Sequence, residues 1–215
     1  VNTFAHVTYS AENPVNGVLL CINGTGIQYS WMRQHLLQDK YSYEEMNILA
    51  EGVEIGSEGV MCFPFGNGAE RVMRNQRVGC HFSGIDFNRH GTPHLVRAAQ
   101  EGISFSFRYG LDIMKEMGIK FEVIRVGDSN LFQSKAFREA FVNTCDTNLE
   151  LFETDGSQGA ARGAGIGNGY YSSPKAAFKG LRKVLTLDSS KEKVEKCELA
   201  YQKWKKGLAR ICSDI

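Results

Sequence analysis

Two glycine-containing segments are the parts of this chain whose residue types and spacing could bind a ligand. Asn23-Gly24-Thr25-Gly26 follows the apolar run 17–22, and Gly127-Asp128-Ser129-Asn130 follows the β-branched run 121–126. A glycine loop between a strand and a helix leaves backbone N–H groups free for an anion or a nucleotide. The two loops could face each other across a sheet and share one ligand. The alternative, that each glycine only makes its turn tight, remains open.

The second loop lies in a strand–loop–helix–strand–helix pattern. Residues 121–126 and 149–152 are predicted as strands. Ser134 is a credible N-cap for a helix over 135–144. A further helix over 157–170 is lined by small residues that would let it lie close to a sheet or a ligand, namely Gly159, Ala160, Gly163, Ala164 and Gly167.

The first loop has similar surroundings. Residues 17–22 form the most continuous apolar run and are predicted as a buried strand. Residues 1–16 precede it, with Phe4 and Val7 as apolar anchors. The helix after the loop has one face formed by Ile27, Trp31, His35 and Leu36.

Between the two loops the pattern predicts a short helix, an antiparallel pair of strands and a long helix, over 43–51, 59–65, 77–85 and 92–117. Thr92 is the expected N-cap of the long helix, Pro93 its first residue and Gly118 its stop. Its buried stripe is Val96, Ala99, Gln100, Ile103, Phe107, Leu111 and Met114.

The last predicted element is an amphipathic helix over 190–211. Its narrow apolar seam docks either on its own domain or on a partner, and consists of Val194, Cys197, Tyr201, Trp204, Leu208 and Ile211. Residues 175–215 carry 11 Lys/Arg against 5 Asp/Glu, a charge of +6, whereas residues 1–174 carry −5. We interpret the basic end as the solvated face of this helix, although it could meet anions.

The bulk composition is that of a soluble globular protein. The 215 residues are 42% hydrophobic and 23% charged, and the net charge of +1 gives no global signal for nucleic acid. The six cysteines form no CxxC motif and no zinc spacing, so we expect buried thiols in a reducing compartment. His90 and His94 lack further ligands for a metal. No signal peptide or membrane-length apolar run is visible, which predicts a cytoplasmic protein.

The order of these elements predicts one α/β domain over residues 1–215. A strand, an antiparallel pair, a long helix and then strand–helix–strand–helix is the plan of a ribonuclease-H-like, or actin-like ATPase, domain. We expect a mixed sheet of about five strands flanked by helices.

Three segments, in this order, resemble the FGGY carbohydrate kinases. Residues 63–71 resemble the PYLxGER strand and turn of that family, residues 92–105 resemble its RAALEGVAF helix, and residues 157–164 resemble its small-residue helix. Residues 63–71 together with FRYGLDIMKEMG are most like the xylulokinases. The resemblance covers only the C-terminal, nucleotide-binding half of such a kinase. Because the chain starts at Val1 without an initiator Met, we expect it to be a piece of a longer protein.

The resemblance also implies which residues contact the nucleotide. The adenosine loop of the family, GGGAxS, falls on 127–134, although this chain has one glycine there instead of three; a second family contact falls on the first loop and its helix. The implied nucleotide-binding residues are Gly24, Gly26, Ser30, Gly127, Asp128, Asn130 and Ser134. Glu70-Arg71 matches the GER turn, either as a salt-bridged turn or with a substrate role. The catalytic Asp of the family lies in a GxGD segment that is not found here, so no catalytic residue is assigned.

The implied reaction is phosphoryl transfer from MgATP to a ketose hydroxyl, with D-xylulose giving xylulose 5-phosphate. Mg²⁺ would be held by phosphates, water and carboxylates of the other half. The sugar and ATP would bind between this chain and that N-terminal domain. We expect neither nucleic acid nor a membrane as a partner, and the sequence leaves open whether the protein is a homodimer. This chain alone is expected to be inactive. The alternatives are a kinase for glycerol, ribulose or gluconate, and a non-catalytic actin-like sugar- or nucleotide-sensing module.

Overall fold

The computed structural model describes residues 2–6 and 9–213, which have a mixed α/β architecture. The strands are β1 (Asn2–Ala5), β2 (Asn16–Leu19), β3 (Met61–Phe65), β4 (Gly79–Ser83), β5 (Val123–Gly127), β6 (Asn148–Phe152) and β7 (Lys183–Leu187). The helices are α1 (Thr25–Trp31), α2 (Tyr43–Glu51), α3 (Thr92–Glu116), α4 (Lys135–Cys145), α5 (Gly156–Gly167), α6 (Pro174–Ala177) and α7 (Lys191–Ser213). A π-helical turn, Met32–Leu36, continues α1. Of the two expected anchors, Phe4 lies in β1 and Val7 lies outside the described residues.

The strands of the described residues form three small sheets. β1 pairs with β2 and β3 with β4, both antiparallel; β6 pairs in parallel with β5 and antiparallel with β7. The prediction of one mixed sheet of about five strands is therefore not confirmed, since the largest sheet in this part of the chain has three. Strand pairing joins segments far apart in sequence, and an apolar pattern does not encode it.

The apolar run 17–22 is not the buried strand that was predicted. Only its first part is strand, and Leu19 at the end of β2 is 45% exposed because β2 pairs with β1 alone. Leu20 and Ile22, beyond the strand, pack against the aromatic cluster around α7. The hydrophobic residues of this run are thus used in the connection to α1 more than in the sheet.

Helix α3 is the central element, and its 25 residues match the predicted helix closely. Every residue from Val96 to Ser106 is buried, because α2, α4 and β3 pack around it. The N-cap is Gly91 and not Thr92, so the helix begins at Thr92, one residue earlier than predicted. Gly118, at φ +85, ends it as predicted.

Helix α7 docks on its own domain, which settles the alternative left open by its apolar seam. Tyr201 and Trp204 are fully buried, and the Trp204 ring stacks on Phe63 of β3 with centroids 5.4 Å apart. The Trp204 Nε1–H donates to the carbonyl oxygen of Cys62 at 2.8 Å. Ring packing and this hydrogen bond fix α7 against β3.

The second core lies between α3, α4 and the three-stranded sheet. Phe137 and Phe141 of α4 face Leu149 and Leu151 of β6, with Ile103 of α3 behind them. The predicted bounds of β5, α4 and β6 agree with the structure to within two residues at each end. Alternation of apolar residues and the Ser134 cap are local signals, and they were sufficient here.

The small-residue helix α5 is not packed closely against a sheet in the described structure. Its N-cap is Asp155, and none of its residues is buried. A Cβ added at Gly159, Gly163 or Gly167 would meet nothing within 4 Å. The expected close approach is therefore not made by the described part of the chain.

All six cysteines are free thiols. Cys62, Cys145 and Cys197 are buried as predicted, whereas Cys80 on β4 is exposed. Among the described residues, no helix combines the length and the apolar character needed to cross a membrane.

Candidate functional site

A cleft of about 1030 Å³ opens where both glycine loops meet α2 and α3. Its volume is at the upper end of the range of about 300–1,000 Å³ that is usual for small-molecule and cofactor sites. The N-terminus of α1, the start of α2, the middle of α3 and the segment from the end of β5 into α4 form its walls. The lining residues are Thr25, Gly26, Tyr29, Tyr43, Glu44, Asn47, Ile103, Phe107, Val126, Gly127, Ser129, Asn130, Leu131, Phe132, Gln133 and Phe137.

The loop after β5 is held by backbone contacts to the next strand. The Asp128 N–H donates to the carbonyl oxygen of Phe152 at 2.8 Å, and a Cβ at Gly127 would overlap the carbonyl oxygen of Thr154. Glycine is therefore required at 127 by close approach of backbone. Asn130 has φ +53, a left-handed conformation that Asn tolerates better than most residues. These contacts hold the loop against the end of β6.

The loop before α1 is anchored by a buried carboxylate. The Asn23 N–H donates to Glu70 Oε1 and Oε2 at 2.8 and 3.0 Å. A Cβ at Gly24 would overlap the carbonyl oxygen of Pro64 in β3, whereas one at Gly26 would meet nothing within 4 Å. Gly24 is thus required for packing against β3, and Gly26 faces open space in the cleft.

Glu70 does not form the salt-bridged turn that was one of its two predicted roles. Its side chain is 1% exposed, and it accepts backbone N–H groups of the first loop instead of pairing with Arg71. Burial raises the pKa of the Glu70 carboxyl above its ordinary value, and the backbone N–H donors offset part of that rise. Glu70 therefore acts on the site by holding the 23–26 loop.

A buried polar network lies behind the cleft wall. Gln100 of α3 is fully buried; its Nε2 donates to Tyr29 Oη at 2.9 Å and to Asn47 Oδ1 at 3.0 Å. Tyr29 Oη donates to Asn47 Oδ1 at 2.9 Å, and Ser134 Oγ donates to Gln100 Oε1 at 3.0 Å. Burial raises the pKa of the Tyr29 phenol well above its ordinary value, so the phenol keeps its proton. The network ties α1, α2, α3 and α4 together at the site.

An aromatic side chain marks the mouth of the cleft. Tyr43, the first residue of α2, is 44% exposed and stacks on Tyr29 with centroids 5.9 Å apart and planes 20° apart. The Arg33 guanidinium lies 5.1 Å from the centre of the Tyr43 ring. Tyr43 is therefore held on two sides while its edge remains at the cleft.

The structure brings some of the predicted site residues together and separates others. Gly26, Gly127 and Asn130 line the cleft. The other predicted residues lie outside the lining: Gly24, Ser30, Asp128 and Ser134. Ser134 is fully buried, and its Oγ accepts the Phe137 N–H at 3.2 Å as an N-cap. Both loops line one cavity, which was one of the two alternatives left open by the sequence, although their strands belong to different sheets.

Sequence reasoning missed several residues of the site. Tyr29, Tyr43, Asn47 and Phe107 line the cleft and were not assigned to it; Gln100 was predicted as core and supports the wall. Only Gln100 gave a signal, because a glutamine in a buried apolar stripe needs hydrogen-bond partners.

Metal ligands are not clustered at this site. The described residues contain no group of three or more His, Cys, Asp or Glu side chains that could hold a metal ion. Among the described residues that line the cleft, Glu44 is the single charged side chain.

The chain belongs to the FGGY family of carbohydrate kinases. Residues 4–167 match the C-terminal domain of that family, which confirms the resemblance found in the sequence. FGGY kinases are ATP-dependent and have the actin-like ATPase fold, so the predicted fold class holds at that level.

The chain is also similar to individual xylulose and glycerol kinases. Over 83 residues, which are 39% of this chain and 17% of the relative, the chain is 37% identical to the xylulose kinase of Haemophilus influenzae. It superposes on the xylulose kinase of Rhodospirillum rubrum with a TM-score of 0.76 at 21% identity, covering 92% of this chain and 40% of that chain. The Plasmodium falciparum glycerol kinase with ADP gives 0.74 at 24% identity, covering 94% and 40%. The chain thus spans less than half of the length of each of these relatives.

Proposed function

We propose that this chain is the nucleotide-binding part of an ATP-dependent carbohydrate kinase that phosphorylates a ketose, with D-xylulose as the first substrate to test. The observation that carries the proposal is the shared cleft. Two glycine loops from distant parts of the sequence, 23–26 and 127–130, line one cavity, in a chain that belongs to the FGGY family. The xylulose kinase of Haemophilus influenzae supports the choice of sugar.

The cleft fits the nucleoside end of ATP better than its phosphate end. Apolar and aromatic side chains such as Ile103, Phe107 and Phe137 line it, together with a few fixed polar groups, and no Lys or Arg is among its described lining residues. This is the usual make-up of a site that binds a flat organic group by burial and orients it by a few hydrogen bonds. Backbone at Gly26 is open to the cleft, where an N–H could meet the first phosphates.

The work of this chain in the reaction is positioning. ATP supplies the phosphoryl group when bound, and Mg²⁺ offsets the charge on the phosphates. The Glu70 carboxylate anchors the loop at Gly26, and a backbone hydrogen bond to β6 holds the loop at Gly127, so both loops are positioned to hold the donor. We expect the N-terminal half of an FGGY kinase to supply the carboxylate that takes the proton of the sugar hydroxyl. We expect the same half to supply the ligands of Mg²⁺. A cytoplasmic location belongs to the same proposal, in keeping with six free thiols.

Calorimetric titration with MgADP and MgATP tests nucleotide binding directly. We expect saturable binding to this chain and weaker binding to Gly26→Val, which fills the cleft without touching the described core. The proposal would be contradicted if neither nucleotide bound to the folded chain and neither bound to the chain joined to the N-terminal half of an FGGY kinase.

An assay of ADP release with D-xylulose, D-ribulose, glycerol and gluconate tests the acceptor. We expect no sugar-dependent turnover by the 215 residues alone, and turnover with D-xylulose when the N-terminal half is present. Sugar-dependent turnover by this chain alone would show that the base lies within it.

A second candidate is a kinase for another polyol. It is favoured by the Plasmodium falciparum glycerol kinase, whose TM-score of 0.74 is close to the 0.76 of the Rhodospirillum rubrum xylulose kinase. Turnover with glycerol in preference to D-xylulose would select it. Binding of nucleotide with no turnover of any sugar by the two-part protein would select a sensing module.

A further inference from the structure

Four polar side chains behind the cleft form one hydrogen-bonded relay. It runs from Ser134 at the start of α4, through Gln100 of α3 and Tyr29 of α1, to Asn47 of α2. Ser134 and Gln100 are fully buried and Tyr29 is 4% exposed, so their hydrogen bonds are made within the protein. Two members of the relay, Tyr29 and Asn47, also line the cleft, and Asn47 is half-buried.

The direction of every hydrogen bond in the relay follows from its first member. Ser134 Oγ accepts the Phe137 N–H at 3.2 Å, and its own proton goes to Gln100 at 3.0 Å. A hydroxyl can accept two hydrogen bonds, but Ser134 is fully buried and Gln100 is the single described acceptor for its proton. The Gln100 atom that faces Ser134 is therefore assigned as the acceptor, Oε1, which places Nε2 on the other side. Nε2 carries two protons and no free lone pair, so both of its neighbours must accept.

The same logic fixes Asn47. Gln100 Nε2 is 3.0 Å from one side-chain atom of Asn47, and that atom must be Oδ1 because an amide nitrogen cannot accept. Tyr29 accepts from Gln100, so its hydroxyl proton goes to the same Oδ1 at 2.9 Å. Asn47 therefore cannot flip, and Nδ2 faces away from the relay. Neither hydrogen bond that the structure describes at Asn47 uses Nδ2.

We propose that Asn47 reads the base of the bound nucleotide, by donating from Nδ2 to a ring nitrogen of adenine. Gln100, Tyr29 and Ser134 are then positioning residues, which act through Asn47 by fixing which of its atoms faces the cleft. This inference rests on the proposed nucleotide-binding function. It also gives Ser134 an indirect part in the site in place of a direct contact.

Asn47→Asp is the sharpest variant for a test. Aspartate keeps an oxygen for Gln100 and Tyr29 to donate to, and replaces only the outward donor by an acceptor. Ile48→Asp is the matched control, because it adds the same charge one residue further on α2, at a side chain that is 62% exposed and does not line the cleft. The probes are ADP and its 1-deaza, 3-deaza and 7-deaza analogues, each of which replaces one acceptor nitrogen by C–H.

Loss of one acceptor should weaken binding to the unmodified chain about five- to tenfold for one of the three analogues. The same analogue should lose nothing further relative to ADP in Asn47→Asp, while Ile48→Asp should keep the full discrimination. A discrimination that persists unchanged in Asn47→Asp, or three analogues that bind the unmodified chain as well as ADP does, would overturn the role of Asn47. Failure of the proposed function is a different result, namely no binding of ADP to the unmodified chain.

Discussion

Replacing Ser134 by alanine should separate a structural role of this residue from direct contact with a nucleotide. The Oγ of Ser134 makes two hydrogen bonds inside the protein, as N-cap of α4 and as donor to Gln100. Alanine removes both. Since Ser134 is fully buried, no side-chain atom of it reaches the cleft lining.

The size of the effect follows from these two bonds. Loss of a serine N-cap costs about 1 kcal/mol. Gln100 is fully buried, so its Oε1 would be left without a donor, which costs about 1–3 kcal/mol. The free energy of unfolding should therefore fall by about 2–4 kcal/mol, a large part of the roughly 5–15 kcal/mol that is typical of a domain.

Urea unfolding of a double-mutant cycle measures the two parts separately. In a Gln100→Met background there is no Oε1 to satisfy and the Ser134 proton has lost its acceptor, so Ser134→Ala should cost no more than the cap, about 1 kcal/mol. The coupling between the two sites should be about 1–3 kcal/mol. A Ser134→Ala variant with unchanged unfolding free energy but abolished MgADP binding would refute this reasoning and return Ser134 to the nucleotide contacts.

Three further predictions concern the loops and β4. Gly24→Ala should lower the urea midpoint of unfolding, at a cost of about 1–3 kcal/mol, because the added Cβ overlaps the backbone of β3. Gly26→Ala should leave the midpoint nearly unchanged and weaken MgADP binding. Equal midpoints for the two variants would contradict this prediction. The pKa of Glu70 is raised in the folded state, so between the ordinary and the raised pKa the folded state binds more protons than the unfolded state. The contribution of Glu70 to the free energy of unfolding should therefore fall as the pH rises through that window. The difference in unfolding free energy between the unmodified chain and Glu70→Gln should change within this window and be constant at other pH values. The thiol of Cys62 lowers the pKa of the exposed Cys80, so iodoacetamide at neutral pH should label Cys80 before the buried Cys62, as read by mass spectrometry of peptides; the reverse order would show that Cys80 is not the reactive thiol.

Local signals in the sequence were enough for most elements. α2 was predicted over its observed residues from its helical pattern, and in the structure Ser42 and Glu45 form a capping box at its start. Gly118 ended α3 in a left-handed conformation, as a glycine after a helix commonly does. These features depend on residues a few positions apart, so the chain itself specifies them.

The arrangement of the elements was not available from the sequence. Residues 17–22 are as apolar as a core strand, and yet β2 has one partner and lies at the surface. The seam of α7 fitted its own domain or a partner equally well until Trp204 was seen against Phe63. Both outcomes depend on which segments pack against each other, and the periodicity of one segment holds no information about its partner.

The same distinction between local sequence and tertiary packing applies to the candidate site. The sequence by itself determined the family and the two glycine loops, because family motifs and turn chemistry depend on residues close together in the chain. Of the seven residues that the resemblance implied, Gly26, Gly127 and Asn130 line the cleft. Only the tertiary structure decided that both loops open into one cavity and that a buried glutamine holds Asn47 in a single orientation. The physical reason is that hydrogen bonds between side chains of four different helices exist only once those helices have packed.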